Sequence, residues 1–144
     1  YWGKSKFKRY IVTEGLNAVF IARSKEDRTE SDPLEPLYDT LAKGDSLIIF
    51  PEGTRNKEAI PQAFKSGIYY LAQKFPNVEL VPVYLENLNR IMPKGAFWPV
   101  PLVCTARFGK PLFLKEDEDK DVFLMRARQA VIDARAPFQQ GVTL

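Results

Sequence analysis

Apolar positions along the chain alternate between short continuous runs and spaced sets. "LNAVFIA" (Leu16 to Ala22) is a continuous run and predicts a strand. In "DPLEPLYDTLAKG", Leu34, Leu37, Tyr38 and Leu41 recur at i, i+3, i+4 and i+7, one face of a helix. Asp32 suits its cap, Pro33 its first turn and Gly44 its end. "SLIIF" (Ser46 to Phe50) predicts a central parallel strand buried on both faces. "AFKSGIYYLAQKFP" predicts a helix with Phe64, Ile68, Leu71, Ala72 and Phe75 on one face, stopped by Pro76. "VELVPVYLE" (Val78 to Glu86) predicts a strand whose hydrogen bonding is limited at Pro82. "PLVCTARFGKPLFL" predicts one or two further strands, broken near Gly109. "KEDEDKD" reads as a solvated lead-in to a last helix, "VFLMRARQAVIDAR", with Leu124, Ala127, Val131 and Ala134 as its apolar face.

Strand, helix, strand, helix, strand implies an α/β fold: a mostly parallel central sheet flanked by helices, with right-handed crossovers. No repeat and no long linker divides the chain, so residues 1–144 are read as one domain. Ligands of such sheets bind beyond the carboxyl ends of the strands. "FPEGTRN" (Phe50 to Asn56) lies at that end of "SLIIF".

The residues of this stretch fit an anion. Gly53 permits a tight turn and a close ligand. Thr54 offers a hydroxyl and a backbone N–H. Arg55 offers a planar fork of donors matched to phosphate or carboxylate. Glu52 either holds the arginine or accepts from a substrate hydroxyl. A plain turn closed by a Glu52–Arg55 ion pair is the alternative. Arg23 ends the strand "AVFIAR", so it too belongs at a carboxyl edge; it either joins Arg55 on one anion or is simply the solvated end of a strand.

Composition narrows the classes. Of 144 residues, 45% are hydrophobic and 27% charged, the make-up of a globular protein rather than a disordered one. The net charge of +3 is too small to imply nucleic acid by itself. One cysteine, Cys104, excludes a disulfide within the chain and reads as a small buried hydrophobe. No run approaches the ~20 apolar residues of a membrane-spanning helix, and no signal peptide is visible. The chain holds no histidine and opens at Tyr1 rather than Met, so any histidine-based catalysis is expected to use residues outside this chain.

"FPEGTR", within its strand and followed by "FKSG", resembles the third signature block of the glycerolipid acyltransferases, the family that includes 1-acylglycerol-3-phosphate acyltransferase. "GLNAVFIAR" resembles the second block and "LVPVYLEN" the fourth; "FKSGIYYLA" and "FGKPL" fall where that family has a helix and a late strand. The resemblance spans about Gly15 to Leu112, and "YLENLNRIMPKG" is similar to bacterial lysophospholipid acyltransferase-like members.

The resemblance implies transfer of a fatty acyl group from acyl-CoA or acyl carrier protein to lysophosphatidate or a lysophospholipid. Arg55, Arg23, Gly53 and Thr54 would bind the acceptor phosphate, and Glu52 would order the loop or the glycerol hydroxyls. The first block, a histidine and an aspartate separated by four residues, is expected upstream of Tyr1, which would leave this piece inactive by itself. No metal and no resident cofactor is implied, the thioester being a co-substrate. Asn56 stands where a serine is common, and Ala22 where an acidic residue often precedes the arginine. A non-catalytic phosphate- or lipid-binding module is the alternative. A nucleotide-binding domain is disfavoured because no glycine-rich loop follows the first strand.

"YWGKSKFKRY" interleaves Tyr1, Trp2, Phe7 and Tyr10 with Lys4, Lys6, Lys8 and Arg9. That pattern suits a membrane surface at the cytoplasmic face, or the solvated face of a helix; nucleic acid is the least favoured partner. Phe97 and Trp98, in the proline-rich "MPKGAFWPVP", either touch lipid or pack on the core, and Arg90 and Lys94 nearby add to an anionic-substrate field or are surface charge.

Overall fold

The computed structural model describes residues 32–54, 56, 58, 60–87 and 103–135. The predicted strand Leu16–Ala22, the basic N-terminal stretch and the Phe97–Trp98 loop with Arg90 and Lys94 lie outside the described residues. The chain divides into two compact units, Tyr1–Ile48 and Ile49–Leu144.

In the first unit, helix α1 spans Glu35–Ala42 and buries Leu37 and Tyr38. Its N-cap is Leu34, without a capping side chain, and its first-turn proline is Pro36 rather than Pro33; Asp32, the expected cap, stands two residues earlier and shapes the approach, its Oδ1 accepting the Leu34 N–H at 2.9 Å and its carbonyl the Glu35 N–H at 3.0 Å. Gly44, at φ +84°, ends it. The Gly44 N–H returns to the Leu41 carbonyl and the Asp45 N–H to the Thr40 carbonyl, a closure that requires left-handed backbone at position 44.

The second unit carries the remaining elements: α2 (Gly67–Lys74), β1 (Val83–Glu86), β2 (Thr105–Phe108) and α3 (Lys120–Asp133). α2 buries Ile68, Leu71 and Ala72, on the predicted face, and stops at Phe75 and Pro76. β1 and β2 pair antiparallel from Val83↔Phe108 to Glu86↔Thr105. Pro82 has no N–H to give, so the ladder lapses beside it; its carbonyl still accepts the Gly109 N–H at 2.8 Å. Pairing resumes at Leu80 and Leu112, which exchange both backbone bonds at 3.1 and 2.9 Å. The predicted break near Gly109 falls there.

The sheet of the described residues therefore differs from the expected mostly parallel one. Its two strands follow each other in the chain and run in opposite directions, a pairing that needs no crossover helix. "SLIIF" also differs from its predicted burial: Ile48 is 91% and Phe50 64% exposed, and no ladder bond among the described residues reaches them. A strand buried on both faces needs a neighbour on each side, and the run predicted to flank it, Leu16–Ala22, is outside the described residues.

Phe123 is fully buried, the centre of a cluster with Ile68, Ala72 and Ala127. Ile49, Phe64, Leu80, Leu112 and Leu114 close around it, and Tyr69 meets its ring edge-on at 5.9 Å. Burying such a ring contributes about 2–3 kcal/mol. Of the face expected on α3, Ala127 and Ala134 are buried and Leu124 and Val131 only half-buried, while Phe123, outside the expected set, lies deepest. Close approach explains the small residues: a Cβ on Gly109 would stand 2.8 Å from Pro82 Cγ and 3.4 Å from Ala134 Cβ.

The lead-in to α3 is not simply solvated. Asp119 caps the helix, accepting the Asp121 and Val122 N–H groups. The Glu118 side chain is only 6% exposed. Arg126 grips it with Nε at 2.7 Å and Nη2 at 2.6 Å, and Nη2 also donates to the Phe113 carbonyl. The Arg126 bonds hold the Glu118 carboxyl below its ordinary value against the opposing pull of burial, and the same pair raises Arg126.

Candidate functional site

The loop that leaves "SLIIF" begins with a tight turn. The Gly53 N–H donates to the Phe50 carbonyl at 3.0 Å, with Pro51 second in the turn, where its fixed φ is favourable. Gly53 adopts φ +68°, costly for a residue with a Cβ. Pro51 presents its carbonyl to the Lys65 N–H at 2.8 Å, which fastens the outgoing leg to the approach of α2.

The returning leg is fastened from within. The half-buried Glu52 reaches across with Oε2 to accept the Gln62 N–H at 2.7 Å. Asn56 folds the tip: its Oδ1 accepts the Glu58 N–H at 2.9 Å and Gln62 Nε2 at 3.3 Å, and its Nδ2 donates to the Ile60 carbonyl at 2.7 Å. From α3, Arg128 Nε donates to the Pro61 carbonyl at 2.8 Å.

Glu52, Gly53 and Thr54 are thus gathered in one turn, with Gly53 and Thr54 exposed; the Gly53 N–H is already given to the Phe50 carbonyl, so Gly53 supplies close approach rather than the donor expected of it, and the backbone donor facing a ligand falls to Thr54. Arg55 and Arg23 lie outside the described residues. Three residues at this loop were not found by sequence reasoning. Lys65 runs its stem along Gly53, 3.5 Å from where a Cβ would sit, which keeps a cation beside the turn; its place in "FKSG" was the available signal. Asn56 was read as a departure from a pattern, and Arg128 left no local signal at all.

Among the described residues, no group of three or more His, Cys, Asp or Glu side chains is placed to hold a metal ion. No helix among them is long and apolar enough to cross a membrane. Cys104 is exposed, its Sγ donating to the Glu86 carbonyl, rather than buried as expected, because it stands just before the exposed strand β2.

The acyltransferase family model matches residues 7–86, more than half of the chain. The chain is 38% identical over 81 residues to the chloroplastic 1-acyl-sn-glycerol-3-phosphate acyltransferase LPAT1 of Arabidopsis thaliana, which covers 56% of the chain and 22% of the relative. It is 37% identical over 81 residues to the chloroplastic BAT2 enzyme of the same name from Brassica napus, with 56% and 23% covered. A Chlamydomonas reinhardtii enzyme of that name is 37% identical over 68 residues, with 47% and 20% covered. The matched stretch is thus under a quarter of the length of these relatives. No solved structure matches the chain. The matched residues take in the turn built by Glu52 and Gly53 together with the apolar runs before and after it, and on that ground the chain belongs to the glycerolipid acyltransferase family.

Proposed function

We propose that this chain is part of an O-acyltransferase that acylates the free hydroxyl of lysophosphatidate or a related lysophospholipid, using an acyl thioester of coenzyme A or acyl carrier protein. The observation that carries the reading is the Phe50–Gly53 turn, its loop bonded through Glu52 and Asn56 to Ile60 and Gln62 and exposing Gly53 and Thr54, in a chain similar to enzymes named for 1-acyl-sn-glycerol-3-phosphate. Those names favour lysophosphatidate over other lysophospholipids.

In this reading Arg55 binds the acceptor phosphate through paired charge-assisted bonds, Thr54 adds a backbone N–H, Gly53 lets the ligand approach the backbone closely, and Arg23 is a second cationic contact. Glu52, bonded to Gln62, keeps the turn in shape. A histidine upstream of Tyr1, oriented by an aspartate, takes the proton of the acceptor hydroxyl. The alkoxide oxygen attacks the thioester carbonyl, the C–S bond breaks, and the thiolate leaves with the proton. Such general-base help is worth roughly 10²–10⁴-fold, so the present chain without that histidine binds but hardly turns over. The reaction takes place at the cytoplasmic face of a membrane, where the aromatic and basic residues of "YWGKSKFKRY" meet anionic headgroups.

In the full-length protein, Arg55→Ala raises the KM for lysophosphatidate by about 10–100-fold, the range for one or two charge-assisted hydrogen bonds, and leaves the KM for the thioester unchanged. An unchanged acceptor KM rules out the phosphate role. A full-length protein that binds lysophosphatidate but never acylates it would instead be a non-catalytic lipid-binding module.

A further inference from the structure

The bonds of Glu52 and Asn56 all close within residues 52–62. They set the shape of the turn and say nothing about where it is held. The outgoing leg is held by the Pro51–Lys65 bond. The returning leg is held by Arg128, which spans 67 residues of sequence to reach the Pro61 carbonyl. Arg128 springs from firm ground: its neighbour Ala127 belongs to the buried cluster around Phe123. Nε is the guanidinium nitrogen nearest the backbone, so a bond through it leaves the guanidinium little slack, and the Pro61 carbonyl stands one residue before Gln62, the donor to Glu52.

We propose that Arg128 is a positioning residue for the acceptor loop. Its bond to the Pro61 carbonyl fixes the returning leg against α3, the leg fixes Glu52 through the Gln62 N–H, and Glu52 sets the turn that carries Gly53, Thr54 and Arg55. Arg128 touches no reacting atom in this account. The role rests on the acceptor-binding reading of that turn.

The test uses the full-length protein and Arg128→Met, which keeps an unbranched stem and removes the donor. Deuterium uptake by peptides covering residues 56–62 is expected to rise several-fold, with peptides covering Phe123 unchanged. The KM for lysophosphatidate is expected to rise several-fold, up to the roughly tenfold ceiling set by the free energy of the one charge-assisted hydrogen bond lost from the loop, with the thioester KM unchanged. Arg128→Lys restores a donor and recovers part of both effects. Unchanged uptake at 56–62 overturns the proposal, as does a looser loop with a normal acceptor KM, or an equal rise in both KM values. Arg55→Ala, run alongside, separates the two ideas: a normal acceptor KM in that variant defeats the phosphate role of Arg55, while Arg128 still stands or falls on its own uptake and KM.

Discussion

Arg126 and Arg128 leave α3 two residues apart, about 200° around its axis, with buried Ala127 between them. Arg126 turns to the start of its own helix and closes on Glu118, eight residues away, and on the Phe113 carbonyl. Arg128 turns to the loop after "SLIIF" and meets the neutral Pro61 carbonyl. The first partner is a carboxylate withdrawn from water, so removing the arginine strands a charge. The second is a carbonyl on a surface loop, so removing the arginine frees a leg of chain. One region spends its guanidinium on the integrity of the scaffold and the other on the placement of a site. Variants of the scaffold should therefore move stability with little change in substrate discrimination, and variants of the loop the reverse.

The largest expected effect lies wholly in the scaffold. Phe123→Ala removes a ring that is 0% exposed and should cost about 3–5 kcal/mol in urea unfolding. A loss under about 1 kcal/mol would mean that the cluster is not the core of this unit. Arg126→Met should cost about 2 kcal/mol, because Glu118 keeps its buried position without its partner, while the acceptor KM stays put. The same pair predicts a pH dependence. The folded state lowers the Glu118 pKa, so its stabilisation is complete above the ordinary 4.5 and is lost as pH falls through the lower folded value. Glu118→Gln should therefore narrow its stability gap to the parent protein on acidification. A gap independent of pH would sink the assignment.

Smaller effects belong to the loop. Asn56→Ala removes the bonds to Glu58, Ile60 and Gln62 and should cost at most about 1 kcal/mol, yet raise the acceptor KM several-fold. Loss of stability without a change in that KM would erase the distinction between the two regions. Smallest is the contrast at Gly53: Ala should cost about 1 kcal/mol at φ +68° and Asn less, since Asn tolerates left-handed backbone. Equal costs would show that backbone strain is not what selects glycine there.

Local signals made much of this legible from sequence. Asp32 and Gly44 bracket α1, the Phe64–Phe75 face describes α2, and Pro82 and Gly109 mark the lapse in the ladder. Of the face expected for α3, Ala127 and Ala134 are buried as the spacing implies, and close approach beside Gly109 explains why position 134 is small. The spacing missed Phe123, one position ahead of Leu124, because a regular set of apolar residues is complete without it. Glu118 was hidden in an acidic run because its partner, Arg126, is recognisable only once the chain has folded back on itself. The antiparallel pairing of β1 with β2 could not be read from apolar runs, which do not record direction. The turn at Gly53 was visible in residue types and spacing. Its support from Arg128 was not, since a side chain bonding to a backbone carbonyl leaves no mark on the sequence at the accepting end.

The register of the ladder sets Glu86 directly opposite Thr105. Whatever lies between those two positions starts and finishes at a single spot on the scaffold. A slip of one residue in either strand would break that meeting and turn every side chain of the slipped strand to the opposite face, so the register at this end holds the two edges of the ribbon to one answer.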